Sequence, residues 1–321
     1  MKKDLEKVIP LNIVMTYPVK WEKYQVIRDF VQNFYDSVGY EKWVEKLRYD
    51  YANNVLSIWI DDITFSYEWL LHIGASTKTS YSQQYAGYFG EGFKIASLCA
   101  SRDYNWKVNM SSGDWNLEVD FINDFIDNTL IKMMAYRINS IQQDNKSMLK
   151  LSNFSEYDYK IFLDALDSFY FPENKLMGKV LWADERGAVY LRSKERVSAS
   201  LPSVQDFGRK GVVFCGYQML GTNPFNLVVC LHKYQKSDRE RKTLYKYEVV
   251  GVFEDVANFI DSRGAMIMLE KMKKYWNSVP HKRIDIHSWS YVINRLLYKI
   301  KESEKVTKEF IKKYPNLLYL N

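Results

Sequence analysis

Asp29, Asn33 and Asp36 stand at i, i+4 and i+7 in the run Arg28-Asp29-Phe30-Val31-Gln32-Asn33-Phe34-Tyr35-Asp36-Ser37, a spacing that sets all three along one side of a helix. A carboxylate and an amide one turn apart can hold a water and a hard cation together. Mg2+ prefers oxygen ligands and keeps several waters, so one side-chain oxygen beside phosphate oxygens completes its shell. Alone, the same spacing describes the polar face of an ordinary amphipathic helix. A second group closes the apolar run Leu56-Ser57-Ile58-Trp59-Ile60, which ends in Asp61-Asp62. A carboxylate at the end of a strand reaches a sheet edge, where it can accept a hydrogen bond from the amino group of adenine. Many strands end in Asp, and this signal is weak by itself. The third group is Gly74-Ala75-Ser76-Thr77-Lys78, followed by Gly87-Tyr88-Phe89-Gly90-Glu91-Gly92-Phe93-Lys94. Its Gly-x-x-Gly-x-Gly leads straight into a helical pattern. Glycines admit close backbone approach, and the unpaired N–H groups of a helix start attract phosphate. A lone glycine triplet says little; the three groups in this order point together to a nucleotide.

The elements that must carry these groups can be read from hydrophobic period and turn residues. A strand is expected over residues 9–15 and a helix over 21–38, where Tyr24, Ile27, Val31 and Phe34 recur at helical spacing and Gly39 stands at the C-cap position. Residues 43–49 and 55–60 flank Ala52-Asn53-Asn54 as a hairpin. A helix is expected over 67–73, a polar loop over 74–92, and a helix from Phe93 to about Ser101. Strands follow at 106–110 and 115–121, joined by Ser-Ser-Gly-Asp, then at 130–138 and 148–151, before a helix over 155–170. Pro172-Glu173-Asn174 marks the best domain boundary, which divides the chain into 1–171 and 172–321. Beyond it strands are expected at 180–182, 188–192, 211–215, 227–232 and 244–252, with helices at 253–260, 265–276 and 288–314. No internal repeat or low-complexity tract appears.

Taken together, these segments resemble the N-box, G1 box and G2 box of the GHKL superfamily, the Bergerat-fold ATP-binding proteins that include Hsp90, gyrase B, MutL and histidine kinases. The resemblance covers residues 9–155. It implies an α+β fold: a Bergerat-type α/β sandwich, a mixed sheet covered by helices on one face, followed by a second α/β region with a basic helical C-terminus. It also implies ATP and Mg2+ as ligands, with Asn33 on the metal, Asp29 as catalytic base and Asp61 on adenine. Asp36 belongs to the same motif. Ser76, Thr77 and Lys78 would line a lid near the phosphates. Gly87, Gly90, Glu91, Gly92 and Phe93 would cradle them, with Lys94 just inside the following helix. Ser147 takes the place of the family's Thr beside the adenine-binding water.

Two departures shape the expected activity. The family's base is usually Glu, and Asp29 is one methylene shorter, so slow turnover is expected. Glu91 is a backup base, against its reading as a solvated loop carboxylate. The family's Asp-x-Gly-x-Gly is here Asp61-Asp62-Ile63-Thr64-Phe65, and bulky Ile63 and Phe65 in place of both glycines reshape the adenine pocket. The leading expectation is therefore a Mg2+-dependent ATPase (an ATP hydrolase) whose lid closes on nucleotide, with a homodimer through the nucleotide domain. The alternative is an ATP-binding switch or scaffold that does not hydrolyse. Downstream, Ser237-Asp238-Arg239-Glu240-Arg241-Lys242 is a candidate γ-phosphate sensor or a charged hairpin.

Composition bounds the remaining choices. Hydrophobic residues make up 47% and charged residues 26% of the 321 residues, as in a soluble globular protein. Cys99, Cys215 and Cys230 form no CxxC, and their odd number argues against a disulfide framework; reduced thiols point to the cytoplasm. The four histidines show no ligand spacing and no phospho-accepting helix. The N-terminal stretch lacks a cleavage signal and no segment is long enough to span a membrane. The net charge of +6 is concentrated at the end: residues 265–321 hold 12 Lys and Arg against 5 Asp and Glu. Such a region attracts nucleic acid or an acidic protein partner, unless it is a solvated helical face.

Overall fold

A computed structural model describes residues 7–71, 91–193, 211–234, 244–278 and 287–315. The chain divides into two compact units, Met1–Ser168 and Phe169–Asn321, three residues ahead of the boundary expected at 171/172.

In the first unit, strand β1 (Lys7–Val14) leads to helix α1 (Lys23–Val38). Gln25 Oε1 accepts the Glu22 N–H at 2.8 Å as half of a capping box. Gly39, at φ 75°, ends the helix by donating its N–H to Tyr35 O. The strand expected from residue 43 begins only at Arg48. Trp43–Lys46 form a short helix, α2, because Trp43 is buried edge-on against Tyr35 of α1, with ring centroids 5.1 Å apart. Strands β2 (Arg48–Ala52) and β3 (Val55–Asp61) then make the expected hairpin. Asn53 and Asn54, at φ 52° and 59°, supply the two left-handed residues of its turn. The helix expected over 67–73 is one 3-10 turn, Tyr67–Leu70.

After helix α3 (Gly92–Asp103), four expected strands prove to be two long ones, β4 (Lys107–Ile126) and β5 (Thr129–Ser152). Ser-Ser-Gly-Asp is not a turn. The register shifts on either side of Gly113, which sits at φ 60°, so the segment is a bulge inside one strand. The true turn is Asp127-Asn128, both left-handed. β5 pairs with β4 along one edge; on its other edge residues 133–138 take β1 and residues 146–152 take β3. Every one of these pairings is antiparallel, so the mixed sheet expected here is corrected: parallel neighbours need crossover connections, whereas short turns at 53–54 and 127–128 reverse the chain.

Helix α4 (Glu156–Leu166) completes the unit, and α1 touches both α3 and α4. Ser155 and Asp158 form its capping box. The buried Asp158 carboxylate also accepts from Trp106 Nε1 at 3.3 Å and pairs with Lys23 Nζ at 2.5 Å, tying the start of α1 to α4 and the entry of β4. Leu56, Ile58 and Ile60 of β3 and Leu149 and Leu151 of β5 are buried.

The second unit holds a mixed sheet of β6 (Met177–Asp184), β7 (Gly187–Arg192), β8 (Gly211–Cys215), β9 (Gln218–Asn223) and β10 (Leu227–Leu231), in the order β6-β7-β10-β8-β9. Only β8 and β10 run parallel. β9 was not anticipated. The strand expected over 244–252 is the beginning of helix α5 (Lys246–Phe259). Its Val-rich sequence favours strand, but Val249, Val252, Phe253, Val256 and Ile260 bury at helical spacing and Glu248 caps the Tyr245 N–H at 2.7 Å. Helix α6 (Ser262–Ser278) follows, and the long final helix expected over 288–314 is broken into α7 (Ser290–Lys301) and α8 (Glu304–Lys313). The break falls at Ser303, whose hydroxyl caps Val306 N. Phe225 centres the core, edge-on to Phe253 at 5.6 Å and to Trp289 at 4.7 Å. No helix among the described residues is long and apolar enough to cross a membrane.

Candidate functional site

Helix α1 is buried on nearly all sides. Besides its apolar residues, Arg28, Asp29, Gln32 and Asp36 are buried, while Asn33 is exposed. An amphipathic helix on a protein surface would show the reverse, with carboxylates in water. Charged side chains are rarely fully buried without partners, and this stripe has some of its own, Gln32 Nε2 donating to Asp36 Oδ2 at 3.5 Å.

α3 faces this stripe. A Cβ added to Gly92 would lie 2.0 Å from Asp29 Oδ2, 2.8 Å from Cγ and 2.9 Å from Oδ1. The Asp29 carboxylate, 2% exposed, therefore packs directly on the Gly92 backbone. Phe93 anchors the approach, its ring meeting Phe30 of α1 at 5.6 Å and Tyr136 of β5 at 6.3 Å. The Tyr136 hydroxyl is buried with no hydrogen-bond partner among the described residues, and burial pushes its phenol pKa up. Asn33 Nδ2 donates to Asp29 O at 3.1 Å, which leaves its Oδ1 as an acceptor on an exposed residue. Asp36 lies one turn beyond, accepting from Gln32 Nε2 at 3.5 Å.

The start of α3 has the character of an anion site. Glu91 occupies the N-cap position, with no side-chain cap among the described residues; the N–H groups of Lys94 and Ile95 donate to Glu91 O at 3.1 and 3.2 Å, so the donors a ligand could meet are those of Gly92 and Phe93 ahead of them. Lys94 stands in the first turn, only 3% exposed. Burial pulls its ammonium down to about 8, with the Glu91 charge acting against the shift.

A separate cluster forms at the end of β3. Asp61 is exposed and pairs across the sheet with Lys146 of β5. The next residue, Asp62, is left-handed at φ 63°, with its N–H donating to Asn145 O at 2.7 Å. Ser147 Oγ donates to Ile63 O at 2.7 Å and lies 2.9 Å from Ser112 Oγ, which accepts the Phe65 N–H. Phe65 turns its ring edge-on to Trp115 at 5.3 Å, and Trp115 Nε1 donates to Phe65 O at 2.8 Å. The chain after Asp61 is thus pinned by serines and a tryptophan where glycines were missing, and its one left-handed residue comes immediately after Asp61.

The structure brings Asp29, Asn33, Gly92, Phe93 and Lys94 to facing segments of α1 and α3. Ser76, Thr77, Lys78, Gly87 and Gly90 lie outside the described residues, as does 237–242. Arg28, Gln32, Ser112 and Tyr136 were not singled out from sequence. Of these, Arg28 alone carried a signal, a charge directly beside Asp29 in a helix with an apolar stripe. Among the described residues no group of three or more His, Cys, Asp or Glu could hold a metal ion. No protein-family model matches the chain, and the curated proteins contain no match to it.

Proposed function

We propose that the first unit is a Bergerat-type site that binds ATP with Mg2+ and hydrolyses it slowly. The observation that carries this reading is the close contact between the buried Asp29 carboxylate and the Gly92 backbone, at a helix start with no side-chain cap among the described residues. It joins two segments far apart in sequence, one expected to hold a water and a hard cation and the other to cradle phosphate. The donor set fits the ligand: the N–H groups of α3 and the Lys94 ammonium suit phosphate oxygens, and Asn33 Oδ1 suits a hard cation. Bound Mg2+ would neutralise phosphate charge. Asp29 orients the attacking water from a position shielded from bulk solvent, and Lys94 and the α3 dipole hold the charge on the phosphates. Asp61 accepts from the adenine amino group, with Ser147 behind it on β5. Closure of the 74–92 segment over the nucleotide and dimerisation through this unit belong to the same proposal.

The Asp29–Gly92 contact also favours a second reading, an ATP-binding switch without turnover. A carboxylate packed on the first residue of α3 can latch that helix to α1 instead of holding a water.

ATP titrations with and without Mg2+, on wild-type and Asp61→Ala protein, test the site, and phosphate release from wild type, Asp29→Ala and Asn33→Ala separates the readings. Binding that depends on Asp61 and release that depends on Asp29 support the ATPase. Binding without release above background selects the switch. No binding at any Mg2+ concentration refutes both.

A further inference from the structure

Among the described residues of the second unit, the exposed large aromatic side chains are all tyrosines: Tyr245 and Tyr247 at the start of α5, and Tyr291 and Tyr298 on α7. α5 and α7 pack against each other. Tyr291 and Tyr298, 48% and 58% exposed, are seven residues apart on one helix. They therefore stand nearly in line, about 10 Å apart along the axis, close to three base-stacking steps of about 3.4 Å. Between them lie exposed Asn294 and half-buried Arg295; Arg295 Nε donates to Tyr291 OH at 3.2 Å, with the guanidinium 5.7 Å from the ring centroid.

α7 contains Arg295, Lys299 and Lys301 and no acidic residue. Lys299 is neutralised by Glu302 at 3.1 Å, which leaves Arg295 and Lys301 as the charges of this face. In sequence, residues 265–321 carry a surplus of seven positive charges. Leu296 and Ile300, on the opposite side of α7, are fully buried. Packing thus accounts for the apolar side of the helix and leaves the tyrosine side unexplained.

We propose that the exposed face of α7 binds single-stranded nucleic acid, with Tyr291 and Tyr298 as stacking platforms and Arg295 and Lys301 on the phosphates. Tyrosine rings need bases that are free of a duplex, whereas an acidic polypeptide would be served by the charges alone. The inference does not rest on the nucleotide site of the first unit.

Fluorescence anisotropy of the full chain with labelled oligothymidylate, oligouridylate and a duplex tests it across a salt series. Single strands are expected to bind more tightly than the duplex, and a preference between the two single strands identifies the natural class. Tyr291→Ala and Tyr298→Ala each weaken binding by roughly 5- to 100-fold, as loss of one stacked base does, while phenylalanine at either position retains it. Arg295→Gln lowers the slope of log affinity against log salt by roughly 0.7. Tyr291 and Tyr298 are exposed and Arg295 is half-buried, so the tyrosine variants should melt with wild type and Arg295→Gln within about 1 kcal/mol of it, which removes misfolding as an explanation. No binding at low salt, a preference for duplex, equal binding by the alanine variants, or displacement by polyglutamate with the tyrosine variants unaffected would each overturn the proposal.

Discussion

Gly92→Ala probes the contact on which the proposed nucleotide site rests. The added methyl group would sit 2.0 Å from Asp29 Oδ2, with two further Asp29 atoms within 2.9 Å, far inside the roughly 3.5–4.0 Å of favourable non-bonded separation. Asp29 is enclosed on α1, so the carboxylate must be displaced or α3 must move. Overpacking of this kind costs about 1–3 kcal/mol, and at about 2–4 °C per kcal/mol for a unit of this size the melting temperature should fall by roughly 2–12 °C. Asp29→Ala removes all three clashing atoms. In that background alanine at 92 meets no carboxylate, and its better helix propensity makes the change neutral or stabilising by up to about 1 kcal/mol. Thermal unfolding of wild type, both single variants and the double variant, followed by circular dichroism, therefore gives a sign-sensitive cycle. An equal loss in both backgrounds, or no loss in wild type, would refute the packing of α3 on α1 described above. If the site also binds ATP, Gly92→Ala should lose affinity with its stability, while the double variant regains stability without regaining phosphate release.

Three further changes test other parts of the first unit. Asp158→Ala removes the carboxylate half of the α4 capping box, takes away the partner of Lys23 and leaves buried Trp106 Nε1 without its acceptor, and should destabilise by about 2–4 kcal/mol in urea titrations; Asp158→Asn, which still accepts, should lose less. Asn54→Ala removes the short amide that lets a side-chain-bearing residue hold φ 59° in the β2–β3 turn and should lose about 1 kcal/mol, whereas Asn54→Gly should not. Burial pulls the Lys94 ammonium down to about 8 in the folded chain against 10.5 ordinarily, so between those values the unfolded chain is expected to bind the extra proton and stability to rise with pH. The buried ammonium then costs on the order of 3 kcal/mol at pH 7. Lys94→Met should melt higher than wild type at pH 7, with the gap closing from pH 8 to 10.5; a gap independent of pH would contradict the burial of this charge.

Features set within a few residues were legible in the sequence. The α1 spacing with Gly39 behind it, the Asn53-Asn54 turn and the start of α3 all depend on local sterics and backbone hydrogen bonding, and they appear where residue types require them. The placement of Asp29 and Asn33 on one side of a helix follows from period alone. What faced that side did not. Asp29 meets Gly92 only because Phe30, Phe93 and Tyr136 pack α3 onto α1 and the sheet, and the burial of Lys94 comes from the same packing.

Segments with ambiguous local signals were decided at longer range. Ser-Ser-Gly-Asp suits a turn as well as a bulge, and β5, held on both edges by β4, β1 and β3, makes it a bulge. The valines of α5 favour strand, but the core around Phe253 buries them at helical spacing. Trp43 lies in a segment read as strand and is drawn into α2 by the Tyr35 ring. The sequence by itself determined which residues could do phosphate chemistry and the local shapes that carry them, because those follow from sterics and hydrogen bonds within a turn or two. Tertiary structure alone decided which of them meet and which lose contact with water, because burial is a property of the neighbours that folding brings from elsewhere in the chain.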